Sequence, residues 1–327
     1  MAVSREYLSR CSAETGHSVS TLEKVTRLGE LAAAVSAHPL LGNALALKGG
    51  TALNLCLDGA PTRLSVDLDY NYVAHAGRER MLEDRPAIEE AVRTLATRLG
   101  YHVQQSADAF AGRKLYATYP SVTGGEDRVE VDLNYLWRCP LAGVRQATVW
   151  QPGDLDRPRV QMVSPLELCV GKTLAFLDRT AARDAWDVAR FPKSVPDILN
   201  GELFRPLLVA FSAILPRPLR EYSRDQLQTR LTADNVRDRL VPMLAHGGPV
   251  PDPEALLEDA WQIVAPLERL SAGEEEYLAA CAGGHIRPEC LFPNAREMAE
   301  TVERHPVLLW KMENVRRYRE TTDGRDG

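Results

Sequence analysis

Apolar and polar positions along the chain change period three times, and each change predicts a different element. Leu22, Val25, Leu28, Leu31, Ala32 and Val35 recur at helical spacing. Ser20, Thr21, Leu22 and Glu23 ahead of them read as a capping box, with Val19 placed as a staple. His38 and Pro39 end that helix. "NALALK" then reads as a short strand, and Thr51 to Leu57 as a short helix closed by Asp58 and Gly59. "RLSVDLDYNYV" alternates with period two and predicts a strand. Pro86 to Leu99 predicts a helix stopped by Gly100. "YHVQQSA", "RKLYATYPSV" and "RVEVDLNYLW" predict three more strands, broken by "AFAG" and "TGGED".

The pattern changes again near residue 150. "QPGDLDRPRV" reads as a proline-rich connection, and Ser164, Pro165, Leu166 and Glu167 as a second capping box with proline at the first helical position. From there the periodicity is mostly helical, interrupted by "LPRPLREYS" and "HGGPVPDPE". The expected division is 1–155, 156–320 and a disordered tail, 321–327. No internal repeat is visible.

Alternation also sorts side chains by face. On the strand around Asp67, Ser65 and Asp69 join it on one side, while Leu64, Val66 and Leu68 take the other. Two carboxylates about 6.6 Å apart repel unless a cation lies between them, and hard oxygen ligands suit Mg²⁺. A solvated sheet face bearing two ordinary acids is the plainer reading. The strand Arg128–Tyr135 alternates likewise and puts Glu130, Asp132 and Asn134 on one side. If it neighbours the first, Asp132 joins Asp67 and Asp69, and the three acids suit a two-metal phosphoryl-transfer site. Asp132 would then orient or deprotonate the attacking hydroxyl.

Just upstream, Lys48 ends a strand and Gly49, Gly50 and Thr51 open a helix. Glycine lets backbone approach a ligand, and a helix N-terminus offers N–H groups to a triphosphate. The spacing is not that of a Walker loop. The plainer reading is a tight strand-to-helix turn. In the helical half, Lys172, Arg179, Arg183, Asp184 and Asp187 fall in one region, with Asp184 and Asp187 on one face. Lys172 could reach a triphosphate, and Arg183 could bind phosphate or pair with an acid. An amphipathic helix with its own ion pairs explains the same spacing.

"LKGGTAL" followed by "RLSVDLDY" resembles the AbiEii/AbiGii (MenT-like) nucleotidyltransferase toxins of the DNA polymerase β-like superfamily. "GKTLAFLDRTAARDAWDVARF" and "ERHPVLLWKMENVRRY" are similar to later blocks of that family. The resemblance implies an α+β protein whose N-terminal mixed-sheet nucleotidyltransferase lobe packs against a mostly helical C-terminal lobe across a cleft. It implies Lys48, Asp67 and Asp69 as active-site residues, completed by Lys172 and by Asp184 or Asp187. It further implies nucleotide transfer from a nucleoside triphosphate to the 3′ end of tRNA, with Mg²⁺, and a cognate antitoxin as partner. The chain departs from the polymerase β pattern in having Gly49-Gly50 in place of Gly-Ser, with a longer gap to the aspartates. Ser65 is placed to orient Asp67, to contact nucleotide, or to carry a regulatory phosphate.

Composition narrows the alternatives. The 327 residues are 45% hydrophobic and 26% charged, with net charge -6. That balance lacks a global nucleic-acid footprint and leaves open a protein hydroxyl or small molecule as acceptor, or a vestigial binding module. Six cysteines without a CxxC pair argue against zinc and disulfide frameworks. The N-terminus has no apolar signal centre and no apolar run suits a membrane span, so a cytoplasmic location is expected.

Overall fold

The structure, a computed structural model, describes residues 3–57, 59 and 61–323. It forms two compact units: residues 1–168 with 237–250, and residues 169–236 with 251–327.

The first unit opens with helices α1 (Arg5–Thr15), α2 (Val19–Ala37) and α3 (Leu41–Ala44). Strand β1 (Leu45–Lys48) runs into α4 (Gly49–Cys56), and β2 (Asp67–Tyr72) is followed by α5 (Arg78–Arg98). Strands β3 (His102–Gln105), β4 (Gly112–Pro120), β5 (Glu126–Asn134), β6 (Val144–Thr148) and β7 (Arg159–Val163) complete one seven-stranded sheet. Its order is β3-β4-β5-β2-β1-β7-β6. β2 is parallel to β5 and β1 to β7, and the other neighbours are antiparallel. The apolar stripe of α2 joins Leu68, Tyr70, Val131, Leu133 and Leu115 in one buried core. That burial takes one sheet face out of water and leaves the other to polar side chains.

Several expected boundaries move, each for a local reason. Helix α2 is capped by Ser18, whose hydroxyl accepts the Thr21 N–H, so Val19 is its first residue and not a staple. Glu23 does not reach back to a cap. It is buried, accepting from the Val122 N–H and the Ser121 hydroxyl, and so pins the β4–β5 turn. Helix α5 starts at Arg78 and carries Pro86 inside it. At the second expected box, Ser164 does accept the Glu167 N–H at 3.2 Å, but the Glu167 carboxylate goes elsewhere. Strand β7, which begins at Arg159, was hidden by the prolines of "QPGDLDRPRV", and β6 lies just upstream in a segment given no element. Helix α4 ends at Cys56; the expected closure at Asp58 lies outside the described residues.

Helix α6 (Pro165–Arg179) leads into the second unit, which continues with α7 (Ala182–Ser194), α8 (Pro196–Leu199), α9 (Phe204–Ser212), α10 (Arg224–Gln228) and α11 (Ala233–Arg239). Helices α12 (Pro253–Val264), α13 (Ala272–Ala282), α14 (Arg296–Glu303) and α15 (Pro306–Asp323) follow. Phe176, Phe191, Phe211, Leu257, Tyr277 and Leu308 are buried in this unit. Helix α15 runs through residues expected in the tail, and residues 324–327 lie outside the described ones. Among the described residues no helix is long and apolar enough to cross a membrane.

Candidate active site

The polar face of the first unit's sheet carries a row of four charged side chains in strand register. Lys48 on β1 stands opposite Asp69 on β2, Asp69 opposite Asp132 on β5, and Asp132 opposite Lys114 on β4. Because directly opposed residues share a face, the row reads cation, carboxylate, carboxylate, cation. Lys48 Nζ lies 4.0 Å from Asp69 Oδ1, and Lys114 Nζ lies 3.5 Å from Asp132 Oδ2. The four side chains are between about a quarter and half exposed, so solvent and ligand can reach them. The next row pairs Asp67 with Glu130, whose carboxylate lies 3.9 Å from Lys114.

At the Lys48 end the chain turns directly into α4. Gly49 has φ +71°, and a Cβ there would sit 2.2 Å from Asp69 Oδ2. Only glycine lets this backbone lie against that carboxylate. A Cβ on Gly50 would meet the Arg63 guanidinium and the Ser65 hydroxyl, both at 2.9 Å. Lys48, at the N-cap of α4, makes no side-chain cap, so the first N–H groups of the helix are not closed by it. The Thr51 hydroxyl donates to the Asp67 carbonyl at 2.5 Å and ties α4 to the start of β2. Ser65 is buried beside this turn.

The opposite end of β2 is closed off. Asn71, on the same face as Asp67 and Asp69, donates to Glu167 Oε1 at 3.2 Å, and the Leu141 N–H donates to Glu167 Oε2 at 2.8 Å. Burial pushes the Glu167 carboxyl up to about 7, against the lowering pull of these donors and of Lys48. For Lys114, burial lowers the ammonium, but Asp132 and Glu130 outweigh it and raise it.

The structure thus brings together Lys48, Gly49, Gly50, Thr51, Ser65, Asp67, Asp69 and Asp132. Lys114 and Glu167 were missed as site residues from sequence, and Glu130 was placed on the Asp132 face without a role. Alternation in "RKLYATYP" already put Lys114 on a polar face, but nothing in it said which strand lay alongside. Among the described residues no three His, Cys, Asp or Glu side chains converge as a metal-binding group. Asp69 and Asp132, oxygen donors opposed across β2 and β5, nevertheless have the chemistry that suits a hard divalent cation, with Lys48 and Lys114 meeting part of their charge.

Lys172, Asp184 and Asp187 meet within the second unit. Lys172 Nζ lies 2.9 Å from Asp184 Oδ1 and 3.1 Å from Asp187 Oδ2. Arg179 Nε donates to Asp184 Oδ2 at 2.6 Å. The two acids are 1% exposed and the lysine 9%. Burial alone would raise the Asp184 carboxyl, yet Lys172 and Arg179 hold it well below the usual carboxylate range. The corner that makes this possible is Thr180, a buried β-branched residue at φ +51° between α6 and α7. The sequence left a solvated helix face as one option here; the acids are instead buried, and Lys172 is already paired with both. Arg183 is half-buried on the first turn of α7.

The family described as "Nucleotidyl transferase AbiEii toxin, Type IV TA system" matches residues 31–265. Among solved structures, the MenT4 nucleotidyltransferase toxin of Mycobacterium tuberculosis is similar at 20% identity and TM-score 0.61, covering 92% of this chain and 98% of that one. That likeness is one of fold. An antigenic nucleotidyltransferase-like protein from Paracoccidioides brasiliensis aligns at 18% identity over 72% of this chain and 92% of its own, with TM-score 0.33, too low to bear on the fold. No curated protein matches the chain. The match from residue 31 to 265 takes in the carboxylate strands, the glycine turn and helices α6 and α7: the chain belongs to the AbiEii nucleotidyltransferase toxin family of type IV toxin–antitoxin systems, and it is a nucleotidyltransferase.

Proposed function

We propose that this toxin transfers a nucleotide from a nucleoside triphosphate to the 3′ end of tRNA in a Mg²⁺-dependent reaction, blocking translation until its antitoxin intervenes. The observation that carries the reading is the Lys48–Asp69–Asp132–Lys114 row with the Gly49 turn at one end. Lys48 and the backbone of Gly49, Gly50 and Thr51 are suited to hold the triphosphate, through an ammonium and helix N–H groups. Asp67, Asp69 and Asp132 would hold the cation. Bound Mg²⁺ would offset charge on the phosphates and favour ionisation of the attacking hydroxyl. Ser65, under the glycine turn, supports the phosphate side.

In the step itself the acceptor hydroxyl oxygen bonds to the α-phosphorus, and the bond from that phosphorus to the pyrophosphate oxygen breaks. Asp132 orients the hydroxyl and accepts its proton, while Lys48 steadies the departing pyrophosphate. In the helical unit we assign Lys172, Asp184 and Asp187 a supporting role, because Lys172 and Arg179 together meet the charges of the two acids; Arg183 is the phosphate-binding candidate there. The net charge of -6 is the observation favouring a protein or small-molecule acceptor.

The test is incubation of the full chain with total tRNA, Mg²⁺ and each labelled triphosphate in turn. Label should enter RNA and vanish with Asp67→Ala or Asp69→Ala. Label on protein bands with none on RNA would sink the tRNA reading.

A further inference from the structure

The row of charges has two ends, and only one is spoken for. Lys48 and the glycine turn lie at the β1 end, so phosphates arriving there leave the acceptor to approach Asp132 from the β4 side. The sheet face continues in that direction with side chains of a particular kind. Tyr116 follows Lys114 on β4, facing Glu130 on β5, and Arg128 comes next along β5. The Arg128 guanidinium carbon lies 4.7 Å from the centroid of the Tyr116 ring. Its NH2 lies 3.1 Å from Glu130 Oε1, so the guanidinium is held over the ring. Arg128 and Lys114 are 56% and 48% exposed, and Tyr116 is half-buried. Tyr116 thus stands about 6.6 Å, and Arg128 about 13 Å, along the strands from the Asp132 pair.

We propose that Tyr116, Arg128 and Lys114 form the acceptor subsite, which binds the unpaired terminal nucleotides of a single-stranded RNA end by stacking a base on Tyr116 and Arg128 and meeting a phosphate with Lys114. This deepens the reading above and rests on RNA being the acceptor. A flat polar sheet face bearing an aromatic ring is a standard platform for unpaired bases, because every base has a π-face. Arg128 adds a second planar surface and a charge. Glu130 lies against both cations and Asp132 against Lys114, so the cation furthest from the reacting carboxylates, and the more exposed of the two, is Arg128. The same arrangement explains why sequence-wide charge gives no nucleic-acid signal: the positive groups are few and lie beside the reacting carboxylates.

The test uses the full-length protein and a short single-stranded RNA with a fluorescent base near its 3′ end. Equilibrium binding is followed without triphosphate, and KM is measured separately for RNA and for triphosphate. Tyr116→Ala should weaken RNA binding about ten-fold or more and raise KM for RNA, with KM for triphosphate unchanged. Tyr116→Phe keeps the ring and should bind as the parent does. Arg128→Ala should weaken RNA binding and reduce its salt dependence; as an exposed change it keeps the test open if Tyr116→Ala does not fold. Equal RNA binding by parent, Tyr116→Ala and Arg128→Ala, in a protein that still modifies RNA, overturns the subsite alone. A parent protein that neither binds nor modifies RNA, but labels a protein, overturns both the subsite and the tRNA reading.

Discussion

Asp184→Asn is the sharpest test of how the helical unit is built. The substitution keeps the shape and removes one charge from a cluster of two acids and two cations. Lys172, 9% exposed, then loses its 2.9 Å partner and retains Asp187 at 3.1 Å. Breaking a buried pair by deleting one member costs about 3–5 kcal/mol. Arg179 adds little to that figure, because it is 62% exposed and water screens it. Urea unfolding of the full chain, read by the transition of the helical unit, should show a loss of about 3 kcal/mol or more. The double variant Lys172→Met/Asp184→Asn should lose less than the sum of its parts, since each single variant already loses the shared Lys172–Asp184 pair. The effect also has a pH signature. Asp184 ionises well below the usual carboxylate range in the fold, so the unfolded chain binds its proton first as pH falls. Its contribution is therefore full above about pH 4, the ordinary aspartate value. It is lost as pH falls below that towards the depressed folded value, and Asp184→Asn should lack this acid-limb loss. A change below about 1 kcal/mol, typical of a screened surface pair, would refute the buried-cluster account.

Other changes probe the sheet. Gly49→Ala forces a Cβ into the left-handed region, costing about 1–2 kcal/mol, and into Asp69 Oδ2 at 2.2 Å; nucleotide transfer should fall about 100-fold or more, far beyond the stability loss, by paired activity and melting assays. Asp69→Asn should abolish transfer while shifting stability by no more than about 1 kcal/mol, because its pair with Lys48 is long and partly exposed. Glu167 has its folded value raised to about 7, so the folded state holds a proton that the unfolded chain releases. Stability from this group is full below about pH 4 and declines as pH rises to about 7, by roughly 3 kcal/mol. Glu167→Gln should flatten that decline in melts taken from pH 4 to pH 8; an unchanged slope would contradict the burial account.

Period-two alternation needs nothing beyond the chain itself. It assigned Asp67 and Asp69 to one face and Leu68 to the other, and it did the same for Asp132 against Val131 and Leu133. The strand-to-helix turn at Gly49 was legible for a similar reason, because paired glycines after an apolar run mark a turn locally. Local signals failed where a local and a distant partner competed. Glu23 and Glu167 each stand at the right offset for a capping box, yet both carboxylates are spent on backbone N–H groups about 99 and 26 residues away in the chain. β7 was masked because proline speaks against a strand, and pairing with β1 decided the matter.

Registers between strands are tertiary facts, and the chemistry depends on them. That Asp132 stands beside Asp69, and Lys114 beside Asp132, follows from β5 lying between β2 and β4. Loop closure and core packing choose that order, and no residue within either strand encodes it. Likewise, whether Lys172 faces water or two buried acids was settled by the α6–α7 corner at Thr180. The sequence by itself determined which side chains share a face; the folded sheet and helices decided which faces meet, because only packing brings distant charges close enough to act on one another.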